Sequence, residues 1–270
     1  MQVVGSVLVR DEDVFLERAI RNVAAFCDRI HVLDHLSSDR TPEILSELAR
    51  ELDHVEVVRS NDASTSHRVL ERYAGTRTWV LGVDGDELYD PAALARLRAD
   101  LEAGAHDDVF RLKAHVLNCD RLEAGRASGF LAPPSRPVTK LFNFAAVSRW
   151  TGCPERLHAG EPEFANGFDW ESVRYLSEDT TWETDPLRLL HVCFLRRSST
   201  PGLDPPAGRP SAWETGLFKR GLRGVPARLR YLRFRDRRLA AYRRAGRSWK
   251  LEWYAKGPRV DVDPAPFGVP

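Results

Sequence analysis

The chain is poor in cysteine and methionine and has no long apolar run. Its four cysteines, Cys27, Cys119, Cys153 and Cys193, are widely spaced and form no Cys-x-x-Cys pair. This spacing argues against zinc and redox motifs and favours a reducing compartment. No apolar run approaches the roughly 20 residues of a membrane-spanning helix. Residues 3–9 read directly as a strand with no basic or apolar leader before them, so we expect no signal peptide and a cytoplasmic protein.

Net charge is also almost absent, but it is unevenly distributed. The formal net charge is +1, yet residues 219–250 hold 13 Lys/Arg and a single acid, Asp236, which leaves an acidic remainder. This basic segment is compatible with contact with an anionic membrane at its inner face, with recognition of an anionic or lipid-linked acceptor, or with docking inside the fold or a homodimer. Docking is the simplest of the three. Nucleic acid is not expected, because no zinc, helix-turn-helix or RNA-recognition motif accompanies the charge.

The first 115 residues alternate between strand-like and helix-like patterns, which predicts an α/β fold with a parallel sheet. Strands are predicted at 3–9, 30–33, 55–58 and 78–83, and helices at 12–26, from Thr41, at 65–74 and from Asp90. Beyond residue 108 the pattern weakens. Strands are predicted at 109–117 and 138–144 around a loop at 124–137, and another apolar run covers 189–195.

The fourth predicted strand ends in an unusual group of acids. Its apolar residues, 79–83, are followed by Asp84, Gly85, Asp86 and Glu87. Ionised carboxylates repel one another and resist desolvation, so a buried strand does not normally end in this way. A divalent cation resolves the conflict, since Mg²⁺ takes carboxylate oxygens and substrate phosphates, and the glycine would let a diphosphate approach. The alternative is a polar strand end with a helix cap.

The other predicted strands end in polar residues as well. Arg10 follows the first strand, Asp34 the second and Asp62 the third. Ligands of open parallel sheets bind outside the carboxyl ends of the strands. The four strand ends together therefore predict a nucleotide site.

These motifs resemble family 2 glycosyltransferases. Residues 7–16 and 32–41 resemble the family's opening strand and its Asp-x-x-Ser-x-Asp-x-Thr pattern, and residues 79–87 resemble its Asp-x-Asp-Glu strand. Further along, weaker matches fall at Lys140 to Phe142 (Arg-Leu-Phe), Trp150, Pro154-Glu155 (His-Glu) and Leu190-His191 (His-Tyr). The resemblance runs from residue 1 to about 195.

The resemblance implies a GT-A fold and transfer of a sugar from a nucleoside diphosphate donor, with UDP the expected nucleotide, Mg²⁺ or Mn²⁺ as cofactor, and inversion at the sugar. It implies a role for each matched residue. Val9 and Arg10 would border the base, Asp34 would bind the base, Asp62 would lie near the nucleoside, Asp84 would face ribose or metal, Asp86 and His191 would bind the metal, and Glu155 would be the catalytic base, with His158 as the alternative.

The same resemblance divides the chain into segments. Residues 1–115 would be the nucleotide-sugar-binding half, 116–200 the acceptor-binding half, 201–215 a Pro/Gly-rich loop, 216–256 a basic helical extension and 257–270 a tail. The acceptor would be a saccharide, a lipid-linked precursor or a small metabolite. Two other functions stay open. One is a GT-A domain that binds a nucleotide without turnover, and the other is a haloacid-dehalogenase-like phosphatase, whose Asp-x-Asp should follow the first strand rather than the fourth.

Overall fold

A mixed β-sheet forms the centre of the molecule, for which a computed structural model describes residues 1–63, 65–132, 138–151, 157, 160–201 and 254–270. The strands are β1 (Gln2–Val9), β2 (Arg29–Asp34), β3 (Val55–Arg59), β4 (Thr78–Asp84), β5 (Glu87–Tyr89), β6 (Arg111–Glu123), β7 (Arg126–Leu131), β8 (Val138–Asn143), β9 (Val147–Thr151), β10 (Glu161–Phe164), β11 (Val173–Tyr175), β12 (Arg188–His191) and β13 (Arg259–Val262). The helices are α1 (Leu16–Ala24), α2 (Thr41–Glu51), α3 (Thr65–Arg68), α4 (Pro91–Glu102) and α5 (Leu176–Asp179). Within these ranges no helix has the length and apolar character needed to cross a membrane.

The four N-terminal strands are parallel and lie in the order β3, β2, β1, β4. In this register Val9 pairs with Asp34, and Leu8 pairs with Asp84. The carboxyl ends therefore meet at one edge, beside the switch in strand order at β1. The predicted α/β class with a mostly parallel central sheet is confirmed. Beyond β4 the sheet continues through β8, which is antiparallel to both β4 and β6.

The central strands are buried on both faces, which explains their nearly continuous apolar sequence. On one face Val7 and Leu81 pack with α1 and α2, through residues such as Ile20 and Leu45. On the other face lies an aromatic cluster with two strand residues at its base. Its members are Val4, Tyr73, Val80, Phe110, Phe142, Phe144 and Trp150. The sheet is thus held rigid from both sides, up to the edge where its strands end.

The predicted loop at 124–137 is wrong over its first half. Residues 126–131 form β7, which joins β6 through a two-residue turn at Gly125, where φ is +70°. The glycine and serine that indicated a loop are required by packing. A Cβ at Gly129 would lie 2.2 Å from the Asn118 carbonyl oxygen, and Ser128 is buried and donates to Asp261. Residues 133–137 lie outside the described ranges.

Other predicted segments also differ from the structure. The helix predicted at 65–74 is broken into α3 and a 3₁₀ turn at Glu71–Tyr73, because the Tyr73 hydroxyl is tied to the buried His31 ring on β2. The predicted tail at 257–270 is part of the fold, since β13 pairs with β7 and Phe267 is buried. The proposed boundary at 115/116 falls inside β6. The calls for 201–215 and 216–256 lie outside the described residues, except for residue 201 and residues 254–256.

Asp90 joins the start of α4 to β12. One carboxylate oxygen accepts from the Ala92 and Ala93 amides, at 2.9 and 3.1 Å, which is the helix start expected from the sequence. The other oxygen accepts from Nε and Nη2 of Arg188, at 2.9 and 2.6 Å. The side chains of Asp90 and Arg188 are only 3% and 11% exposed. This pair therefore fixes β12, and with it His191, against the rest of the sheet.

We expect Asp90→Ala to lower the free energy of unfolding by about 3–5 kcal/mol, because it leaves a buried arginine without its partner and removes a helix cap. Urea unfolding followed by circular dichroism measures the effect. Asp100→Ala, an exposed acid on the same helix, is the matched control and should change stability by less than about 0.5 kcal/mol. Equal effects of the two substitutions would contradict this role of Asp90.

Candidate functional site

The loops that follow β1 and β2 are tied to each other at the sheet edge. The Asp11 amide donates to Ser37 Oγ at 2.9 Å, and the Ser38 amide donates to Asp11 Oδ1 at 2.6 Å. Asp11 and Leu36 both have positive φ, 50° and 55°. Left-handed backbone at non-glycine residues is strained, and such strain concentrates at functional sites. The two loops therefore form a rigid rim above the strand ends.

Asp34 lies at the base of this rim, where β2 ends. It is 2% exposed, and its Oδ1 accepts from the Ser37 amide at 2.8 Å. Its Oδ2 has no hydrogen bond within the described residues, and Arg59 Nε lies 3.4 Å away. Buried carboxylate oxygens normally have donors. Asp34 is therefore a candidate acceptor for a ligand N–H group.

The remaining residues predicted to contact the nucleoside lie at different depths. The Val9 side chain is buried in the core, and its carbonyl accepts from the His35 amide at 2.8 Å. The Arg10 side chain is 45% exposed, with Nε 3.7 Å from Asp11 Oδ2. Asp62 is 49% exposed on the rim and forms an ion pair with Arg68 at 2.6 Å. Only the backbone of Val9 can face a ligand here, whereas Arg10 and Asp62 can reach one with their side chains.

The carboxylates of Asp84 and Asp86 face different cations. The Asp84 side chain is 35% exposed, and its Oδ2 lies 3.5 Å from Lys140 Nζ. The Asp86 side chain is 4% exposed, with Oδ1 3.7 Å from His191 Nε2 and Oδ2 3.1 Å from Arg197 Nη1. Asp86 is therefore the buried member of the pair, and it adjoins the histidine with which the resemblance associated it.

Glu87 supports the turn between these two residues. Its Oε2 accepts from the Asp84 amide at 3.0 Å, and its Oε1 lies 2.5 Å from Lys140 Nζ. Burial raises the pKa of Glu87 to about 8, and the neighbouring Lys140 acts in the opposite direction. Lys140, which the sequence offered only as a weak motif match, thus holds both Glu87 and Asp84.

The geometry at Asp86 and His191 fits a divalent cation with two protein ligands. Metal bonds to carboxylate oxygen and imidazole nitrogen are about 2.0–2.2 Å long, so a single ion can bond to two atoms 3.7 Å apart. Across the described part of the chain, no three His, Cys, Asp or Glu side chains converge on one ion. The other positions of a bound ion would therefore fall to phosphate oxygens and water, as is usual for Mg²⁺. Metal ligation by Asp84 stays a prediction.

Two further residues at the site were not identified from the sequence. Arg197 Nη1 lies 2.6 Å from Glu12 Oε1 as well as 3.1 Å from Asp86 Oδ2. A Cβ at Gly85 would lie 2.5 Å from Glu12 Oε2. The glycine between the two aspartates therefore makes room for Glu12. No spacing in the sequence connects Glu12 with Arg197, because they lie in loops far apart along the chain.

Residues 197–199 form a strap that crosses the rim. Ser198 Oγ donates to Asp39 Oδ2 at 2.6 Å, the Ser199 amide donates to Asp13 Oδ1 at 2.6 Å, and the Val14 amide donates to the Arg197 carbonyl at 3.0 Å. Burial alone would raise the pKa of Asp39, but hydrogen bonds from Ser198 and Thr41 bring it below its usual value. The strap thus fixes the chain after β12 to the ends of β1 and β2.

A cleft opens beside the carboxylates, on the face of the sheet that carries the aromatic cluster. It contains about 680 Å³ of empty volume, and Ser6, Gly82, Asp84, Lys140, His191 and Tyr254 are among its lining residues. Clefts of 300–1,000 Å³ are typical of small-molecule sites. The predicted catalytic residues Glu155 and His158 lie outside the described residues.

Comparisons with known proteins connect this geometry to a family. Residues 7–129 match the model of the family described as Glycosyl transferase family 2. A TPR repeat-containing protein of Synechococcus elongatus is 34% identical over 101 residues, which are 37% of this chain and 24% of that protein. The chain thus matches about a quarter of the length of this curated relative.

Solved structures with a partly similar fold are glycosyltransferases at low identity. S. aureus TarS has a TM-score of 0.40 and 16% identity over 54% of this chain and 29% of its own. Glucosyl-3-phosphoglycerate synthase from Mycobacterium tuberculosis, in complex with Mn²⁺, UDP-glucose and phosphoglyceric acid, has a TM-score of 0.33 and 16% identity over 43% of this chain and 44% of its own. Through residues 7–129, which hold the rim, Asp34 and the Asp84–Asp86 turn, this chain belongs to glycosyl transferase family 2.

Proposed function

We propose that this protein is a metal-dependent, inverting glycosyltransferase that moves a sugar from a nucleoside diphosphate donor, a UDP-sugar, to a hydroxyl acceptor. The family match of residues 7–129 supports the reaction class. The observation that carries the proposal is the position of Asp34 and the Asp86–His191 pair at one edge of the parallel sheet. A base-binding acceptor and a candidate cation site lie there together, as a nucleoside diphosphate requires.

The donor would lie across the strand ends. Asp34 Oδ2 would accept an N–H group of the base, because this buried oxygen is unsatisfied within the described residues. Arg10 and Asp62 would border the nucleoside, together with the backbone of Val9. Asp84, which is partly exposed at the end of β4, would face the ribose.

Asp86 and His191 would hold Mg²⁺ or Mn²⁺. Such an ion stabilises the negative charge that develops on a departing diphosphate. Arg197, 3.1 Å from Asp86, adds a permanent positive charge beside this pair. Lys140 performs a separate task, since it neutralises the buried Glu87 and keeps the turn closed.

An acceptor hydroxyl needs a base to take its proton as it attacks the sugar. Glu155 is proposed for this role, with His158 as the alternative, because they match the family's motif. The acceptor itself, a saccharide, a lipid-linked precursor or a small metabolite, remains a prediction from the sequence. So do the cytoplasmic location, the membrane contact through 219–250 and the homodimer.

The two alternatives fit the structure unequally. A nucleotide-binding protein without turnover would use the same donor site, and only an activity measurement separates it from an enzyme. A phosphatase of the haloacid-dehalogenase type needs its aspartates after the first strand, whereas here they follow β4. The family match of residues 7–129 also favours sugar transfer.

We expect UDP with Mn²⁺ to stabilise the protein, because a ligand at 100 times its dissociation constant adds roughly 2.7 kcal/mol. Thermal unfolding with UDP, GDP and ADP, each with Mn²⁺ or EDTA, measures this effect. Asp86→Ala should remove the part that depends on Mn²⁺ and keep the part that does not, whereas Asp100→Ala should retain both. If none of the nucleotides shifted the midpoint, the donor site would be wrong, and an unchanged Mn²⁺ effect in Asp86→Ala would refute the metal site.

We expect Glu155→Gln to lower sugar transfer by about 100-fold or more while UDP binding stays unchanged, because the substitution removes a base and little else. Transfer from UDP-sugars to a panel of acceptors is measured by UDP release, with His158→Ala as the paired variant. Full transfer in Glu155→Gln together with loss in His158→Ala would assign the base to His158. Nucleotide binding without transfer to any acceptor would favour the non-catalytic alternative.

A further inference from the structure

A buried amide lies directly behind His191. Asn118, on β6, is 3% exposed and pairs with His191 in the parallel register between β6 and β12. Its Oδ1 lies 2.9 Å from His191 Nδ1, and its Nδ2 donates to the Tyr254 carbonyl at 3.3 Å. A carbonyl oxygen can only accept a hydrogen bond. The contact with Tyr254 therefore requires the NH₂ group to point away from His191.

The orientation of this amide determines which His191 nitrogen carries the proton. Asn118 Oδ1 is an acceptor only, so Nδ1 of the ring must donate to it. Cys193 Sγ, 4.0 Å from the same oxygen, is a second donor to it. In the neutral ring, Nε2 then holds the lone pair, and this atom lies 3.7 Å from Asp86 Oδ1.

We propose that Asn118 is a positioning residue that holds His191 as the neutral Nδ1–H tautomer and presents Nε2 to a divalent cation shared with Asp86. The inference rests on the metal site of the proposed function. Metal-binding histidines usually donate their second N–H group to a neighbouring acceptor, which fixes the ring and strengthens the ligand. Asn118 supplies that acceptor from the neighbouring strand.

Tyr254 completes the arrangement. Its ring meets the His191 ring edge to face, with centroids 5.0 Å apart and planes at 87°, while its carbonyl orients Asn118. One residue thus limits rotation of the imidazole and also fixes the amide that selects its tautomer. Packing alone would need only an apolar side chain at position 118, whereas the observed residue satisfies a donor on one side and an acceptor on the other.

Two substitutions separate positioning from packing. Asn118→Leu keeps the approximate size but removes the acceptor, and Asn118→Asp keeps an acceptor. We expect Asn118→Leu to bind Mn²⁺ about 10- to 100-fold more weakly than wild type in the presence of UDP. Asn118→Asp should stay within about threefold of wild type, since a carboxylate accepts from Nδ1–H equally well. Electron paramagnetic resonance of free Mn²⁺, on the full chain, measures both affinities.

Asn143→Leu is the matched control. Asn143 is also a buried asparagine, 2% exposed, and it bonds to backbone groups at the other end of the sheet, where it pairs with Trp79. Its replacement should lower the unfolding temperature and leave Mn²⁺ affinity unchanged. If Asn118→Leu bound Mn²⁺ like wild type, or if Asn118→Asp lost as much affinity as Asn118→Leu, the positioning role would be overturned.

A second measurement keeps this role separate from the proposed function. Long-range ¹H–¹⁵N NMR of the His191 ring, without metal, reads the tautomer directly. Wild type and Asn118→Asp should show the Nδ1–H form, and Asn118→Leu should lose this preference. Wild type without Mn²⁺ affinity but with the expected tautomer change would refute the metal site and support the positioning role. An unchanged tautomer in Asn118→Leu would refute the positioning role, whatever the Mn²⁺ result.

Discussion

The arrangement of this edge depends on the neutralisation of carboxylates that the sheet buries. Glu12, Asp86 and Glu87 are all less than 10% exposed, and they lie within a few residues of two strand ends. Lys140 and Arg197 offset this charge from two other parts of the chain. Removing one partner of such a buried pair costs far more than its net contribution to stability. The strap and β8 are therefore held at the edge by the same carboxylates that would bind the ligand.

This compensation separates two tasks that look alike in sequence. Lys140 is committed to the turn through Glu87 and Asp84, whereas Arg197 bridges the rim and the candidate cation site through Glu12 and Asp86. Asp86 thus has a permanent cation on one oxygen and a histidine near the other. A divalent ion arriving there would meet a carboxylate already desolvated and oriented, so little reorganisation is needed.

The sequence predicted those parts of the fold that local patterns encode. The apolar runs of β1 to β4 and the cap at Asp90 follow from burial and from capping chemistry, and their outcome is confirmed. β7 was missed because Gly129 and Ser128 are strand residues for reasons of close approach and a single hydrogen bond, which resemble loop signals in sequence. The adjacency of Asp86 and His191 came only from the family resemblance, since nothing local connects them.

The residues that sequence reasoning missed share one property. Glu12, Asn118 and Arg197 act through partners distant in the chain, and their partners are set by strand register and loop contacts. Such pairings leave no periodicity that a single sequence reveals. The prediction for Glu155 and His158 concerns residues outside the described ranges and stays a prediction.

The contacts of residues 254–270 have a consequence for synthesis. These residues supply β13, which covers the edge of β7, and Tyr254, which packs on His191 and orients Asn118. On the ribosome they emerge after every other part of the described chain, and domains begin to fold from their N-terminal side. The nucleoside corner at β1 and β2 can therefore form early, while the histidine acquires its final setting only when the last strand has joined the sheet.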